Sequence, residues 1–173
     1  MGTLTVDNLN VNNTASISSG AGKVLQVQSA FKSDTDSTTS TSDVAISGLS
    51  LTLTPASTSN KVLVQFDVGT MGNNYNAHMF FTVYRSIGGG SYSAIAQGTG
   101  GGSYNYGAGS YAGNGAYHAV GHCFLDSPNT TSEITYKLYF RGSSGSYTYY
   151  INRRSSDDLF RGSTSLICME VKG

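Results

Sequence analysis

FLDSPNTTSEITYKLYFRG, residues 124–142, is the stretch that decides the fold. Behind the Pro128 turn, Ile134, Tyr136, Leu138 and Phe140 alternate with Thr135, Lys137, Tyr139 and Arg141. Successive side chains of a strand point to opposite faces, so this period of two makes a strand with one apolar and one polar face. Nothing in the stretch is reactive.

The same pattern continues in both directions. Upstream come KVLQVQSAF (23–31) and VAISGLSLTLT (44–54), with Leu49, Leu51 and Leu53 alternating against hydroxyls, and then, after Pro55, KVLVQFDVG (61–69), with Val62, Val64, Phe66 and Val68 on one face. AHMFFTVYRS (77–86), SYSAIAQG (91–98) beyond a Gly88-Gly89-Gly90 break, and YHAVGHCFLD (117–126) follow. YTYYINRR (147–154) and TSLICMEV (164–171) complete the series. Short strands separated by turn residues, with no helical period between them, predict an all-β antiparallel sandwich. A jelly roll is favoured, since the immunoglobulin-like alternative lacks its core Trp and its Cys, Trp, Cys spacing.

At 173 residues the chain suits one core. It divides into an extended arm, residues 1–22, and a sandwich domain, residues 23–173. The arm spaces Leu4, Val6, Leu9 and Val11 among Asn, Ser and Gly, and so has apolar side chains with nothing of its own to bury them against. Gly98–Tyr117, GTGGGSYNYGAGSYAGNGAY, reads as a loop too rich in glycine to hold strands and too aromatic to be a bare linker. Its Tyr104, Tyr106, Tyr111 and Tyr117 either stack on the sheet or bind a ligand.

Charged residues make up 12% of the chain, and ten Lys and Arg balance ten Asp and Glu. This balance invites neither nucleic acid nor an acidic membrane surface. No run of residues approaches the length of a membrane span, and no secretion signal opens the chain. Cys123 and Cys168 are too few for a disulfide framework.

Catalytic and metal motifs fail on spacing, so no catalytic residue, metal or cofactor is expected. SGAGKV (19–24) lacks the first Gly and the final Ser or Thr of a phosphate loop. His118 and His122 stand four apart in a strand, about 13 Å along it, too far for one ion. His78 is alone, and Cys123 points away from His122. Asp34 and Asp36 lack the Gly and distal Glu of a calcium loop. Asp126, Glu133, Asp157 and Asp158 are the carboxylates a sugar-cleaving enzyme would have to use, but all sit in turn-like contexts. Asp157 and Asp158 stand beside Arg153, Arg154 and Arg161, as groups that pair across a turn or a subunit boundary.

GKVLQVQSAFKSDTDSTTSTS, GLSLTLTPASTSNKVLVQFDV, FLDSPNTTSEITYKLYFR, YINRRSSDD and SLICMEV, in this order, resemble the small virion proteins of marine and cyanobacterial tailed bacteriophages, and GTLTVDNLNV is similar to their N-terminal attachment stretch. The resemblance implies a β-sandwich, usually trimeric, carried on the virion exterior as a capsid decoration of the cement or head-fibre kind, or as a tail-fibre tip. It implies other virion proteins of capsid or tail as partners, and Leu4, Val6, Leu9 and Val11 of the arm are expected to anchor the domain to the virion or to wrap a neighbouring subunit. The alternative is a receptor-binding module that stacks host-surface glycans on the tyrosine loop. A homotrimer is also expected from β-like runs that are apolar on both faces, with Phe80 and Tyr84 opposite Phe81 and Val83.

Overall fold

The computed structural model describes residues 22–73, 77–100, 102, 104–112 and 118–173. Eleven strands are present among them: β1 (Val24–Lys32), β2 (Asp36–Thr38), β3 (Val44–Leu53), β4 (Lys61–Asn73), β5 (Ala77–Ile87), β6 (Ser93–Ile95), β7 (Ala108–Ala112), β8 (His118–Asp126), β9 (Ile134–Gly142), β10 (Tyr149–Ile151) and β11 (Thr164–Val171). The arm residues Leu4, Val6, Leu9 and Val11, and Tyr117, lie outside the described residues.

One sheet runs β1-β11-β4-β8 and the other β3-β9-β5-β7, with every pair antiparallel. β1 pairs with β11, β3 with β9, β4 with β8 and β5 with β7, which is the nested pairing of a jelly roll. Three short strands extend this frame. β10 joins the far end of β4 and carries β2 on its other edge, and β6 continues the line of β7 along β5.

The alternation read from the sequence sets the core. Ile134, Tyr136, Leu138 and Phe140 of β9 face Val62, Val64, Phe66 and Val68 of β4 and Leu166 and Cys168 of β11, all buried. Phe81 packs on Phe66 at 6.2 Å and on Phe140 at 6.4 Å between ring centroids. Several polar groups that reach the interior are paired. Arg85 of β5 makes two bonds to Asp126 of β8, at 2.7 and 2.8 Å, and Tyr136 donates to the same carboxylate at 2.7 Å. Glu170 of β11 accepts from Gln26 Nε2 at 2.6 Å, Ala56 N at 2.7 Å and Asn60 Nδ2 at 2.6 Å, tying β1 and the β3-β4 turn to one buried carboxylate.

Three runs differ from expectation. The glycine-rich stretch does hold a strand, β7, because Gly109 lies opposite Phe80 and lets the aromatic side chain cross over it. The strand expected over 147–154 is only three residues long. It ends where Asn152 turns left-handed (φ 60°), a conformation held by Nδ2 bonds to the carbonyls of Lys32 and Asp34 at 3.0 and 2.9 Å. Ala96 (φ 53°) ends β6 in the same way.

The outer faces of the two sheets differ in character. On the β3-β9-β5-β7 sheet, Thr135, Lys137, Tyr139 and Arg141 turn outward as the sequence predicts. On the β1-β11-β4-β8 sheet, strand register places Val27, Met169, Leu63 and Leu125 side by side in one outward row across all four strands.

Candidate functional site

The site grows from Phe80, which alternation turns to the outer side of β5. There it is covered by the chain's own loop and is only 4% exposed. Gly98 N donates to Tyr106 O at 3.1 Å and closes the loop at its base, while Gln97 Nε2 and Arg141 Nη2 hold the Asn105 carbonyl at 3.2 and 3.5 Å. Gly107 N then donates to Phe81 O at 3.0 Å and returns the chain to the sheet as β7. So anchored, Tyr104 and Tyr106 lie over Phe80, with ring centroids 5.0 and 4.5 Å from it.

The stack continues along the strand pair. His78 lies parallel to Phe80 at 6.0 Å and 4.9 Å from Tyr111. From β9, the Arg141 guanidinium lies 5.1 Å from the Phe80 ring centre and 5.5 Å from that of Tyr104, cation and ring attracting through the ring quadrupole. Asp43 fixes that guanidinium with a 3.1 Å ion pair and accepts from Tyr84 Oη at 2.7 Å. Burial, reinforced by the Asp43 bond, pushes the Tyr84 phenol up to about 12, so it stays a neutral donor.

Two adjoining grooves result. One, of about 260 Å³, is lined by His78, Phe80, Gly102, Tyr104 and Tyr106. The other, of about 380 Å³, lies between Gly98–Gly100 and Tyr104–Tyr106. Both are open, with aromatic faces, phenol hydroxyls and backbone amides on their walls, a surface suited to the flat apolar side and hydroxyl rim of a sugar ring.

Three of the four tyrosines singled out in the sequence therefore meet on one shelf: Tyr104, Tyr106 and Tyr111. The sequence reading missed Phe80, Arg141, Asp43 and Gly109 as members. The available signal was alternation, which sends Phe80 and Arg141 outward on neighbouring strands; the register that pairs them directly is a property of the sheet.

Of the carboxylates considered for catalysis, Asp126, Asp157 and Asp158 are tied into ion pairs, whereas Glu133 is exposed just before β9. Asp126 is taken by Arg85 and Tyr136. Asp157 pairs with Arg154, which holds the acid below the usual carboxylate range, and Asp158 lies 2.9 Å from both Arg153 and Arg161. Asp34 is bound by Lys32, and Asp36 accepts from Ser37 N and Ser47. On β8, His122 turns inward onto Phe66 and Phe124. Among the described residues no three His, Cys, Asp or Glu side chains gather as a metal site. Both cysteines are free, Cys123 exposed and Cys168 buried.

No protein-family model and no curated protein matches the chain. Among the solved structures similar to it are two at 10% identity: infectious bursal disease virus of the Gx strain, over 99% of this chain with a TM-score of 0.42, and of the Gt strain, over 100% with a TM-score of 0.43. The chain spans less than half the length of those chains, 44% and 43% respectively.

Proposed function

We propose that the protein is a non-enzymatic structural protein of a tailed bacteriophage virion: a homotrimeric surface decoration of the cement or head-fibre kind, bound to the capsid. The observation that carries this reading is the outward apolar row of the β1-β11-β4-β8 sheet, on a jelly roll whose Asp126, Asp157 and Asp158 are spent on structural pairs. Such a molecule is built for contact. The phage resemblance of the sequence runs the same way, and it assigns attachment to the arm through Leu4, Val6, Leu9 and Val11. Cryo-electron microscopy of intact particles tests the proposal: density for this fold on the capsid exterior is expected, and its absence from the capsid refutes a decoration role.

The aromatic shelf favours a second reading, a tail-fibre tip that binds host-surface glycans. Glycan-array binding that is lost in Tyr104→Ala, together with density at the tail, would select it over decoration.

A further inference from the structure

We infer that the outer face of the β1-β11-β4-β8 sheet is the seat of a second copy of this chain. The inference rests on the trimeric reading above and gives that trimer its subunit contact.

The face departs from what water requires. An antiparallel sheet packed on one side normally shows polar side chains on the other, yet here Val27, Met169, Leu63 and Leu125 form a continuous row. Val27 is 52% exposed and Leu125 54%, and on the same side of β1 Phe31 is 69% exposed. Ile167 and Cys123 fall in the next row, on either side of Gln65. Within the paired stretch of β4 only Lys61 and Asp67 bring charge to this side, one of each sign at opposite ends.

Charge and size identify the occupant. A face with one positive and one negative group presents no field for a strongly charged partner, and a chain with ten charges of each sign does not repel its own copies. Four strands at about 4.8 Å spacing, and the length from Val24 to Phe31, make a patch of roughly 500 Å². A standard interface takes about 800 Å² from each partner, so the patch supplies most of a subunit contact and its rim the rest. The chain's own arm is a poorer match: it offers the four apolar side chains of Leu4, Val6, Leu9 and Val11, whereas the apolar positions of the face spread over several rows and all four strands.

The test uses the full-length protein, sedimentation, and alkylation of thiols with iodoacetamide read by mass spectrometry. Cys123 lies on the face, and buried Cys168, whose thiol burial pushes up to about 12, reports unfolding. The wild type is expected to sediment at the mass of a trimer with Cys123 protected. Leu125→Asp and Ser29→Arg are expected to sediment as monomers with Cys123 reactive and Cys168 still protected. Ser29 is an exposed position on the face, so its replacement tests the contact without removing core packing. A wild-type monomer with reactive Cys123 overturns the inference. So does an oligomer whose mass and Cys123 reactivity neither variant changes, which places the contact elsewhere. A monomer whose Cys123 becomes reactive only on deletion of residues 2–18 also overturns it and gives the face to the arm. None of these outcomes depends on where the protein sits on a particle, so failure of the virion reading is seen separately, by imaging.

Discussion

Phe80 and Phe31 are both outward-facing phenylalanines on strands of the same sandwich, and they meet opposite fates. Phe80, on the β3-β9-β5-β7 sheet, is 4% exposed because Tyr104, Tyr106 and Arg141 close over it. Phe31, on the β1-β11-β4-β8 sheet, is 69% exposed. On the first sheet Phe80 is covered by a loop of its own chain, and on the second Phe31 is left open. An apolar residue on the solvent side of a strand therefore implies a partner only after the chain's own loops have been accounted for. The oligomer expected from Phe80 and Tyr84 needs this correction, since Phe80 is covered by its own chain while Val27, Phe31 and Leu125 stand open on the other sheet.

The comparison is broken most severely by Phe80→Ala. It removes the ring beneath Tyr104, Tyr106 and Arg141 and is expected to cost about 3 kcal/mol in urea unfolding. A loss under about 1 kcal/mol, within the range of ordinary surface changes, would mean that the loop lies on the sheet without stabilising it.

Next in size is the joint that ties β1 and the β3-β4 turn to β11. Glu170→Gln exchanges a buried carboxylate accepting three bonds for an amide and is expected to cost about 2 kcal/mol at neutral pH. Burial alone would raise the Glu170 pKa, but the bonds from Gln26, Asn60 and Ala56 outweigh it and leave the value lowered from 4.5. The unfolded chain therefore binds the proton more tightly. The contribution is full above 4.5 and is lost as pH falls through the lower folded value. Melting temperature measured against pH should fall more steeply in acid for the wild type than for the variant, and parallel curves would remove Glu170 from this role.

Gly109→Ala sharpens the account of the covered face. A methyl group there would stand 2.9 Å from a Tyr106 ring carbon, 3.0 Å from the Met79 carbonyl oxygen and 3.1 Å from a Phe80 ring carbon. The expected loss is about 1 to 2 kcal/mol, accompanied by a change in tyrosine near-ultraviolet circular dichroism. An unchanged spectrum would mean that the stack does not depend on close passage over this glycine.

The smallest effect is expected on the open face. Leu125→Ser should change the unfolding free energy of the dilute protein by less than about 0.5 kcal/mol, as at other exposed positions. A loss comparable to that of Phe80→Ala would mean that Leu125 is packed in the isolated chain and that the two faces are alike.

By itself the sequence determined what local periodicity can determine. Strict alternation in residues 134–140 and 62–68 placed Ile134, Tyr136, Leu138, Phe140, Val62, Val64, Phe66 and Val68 inside, because a pleated strand fixes which side each residue faces. The Asp157 and Asp158 pairings with arginines were legible for the same reason, since all lie within a few residues of one turn. Tertiary structure alone decided what depends on register between distant segments. Val27, Met169, Leu63 and Leu125 are far apart in sequence, and only the pairing of β1, β11, β4 and β8 sets them in one row. Phe80, Gly109 and Arg141 become one site because β5 pairs with β7 on one edge and β9 on the other. Alternation assigns each residue a side, but burial also depends on what crosses above that side, and this is set by contacts among segments that no local pattern encodes.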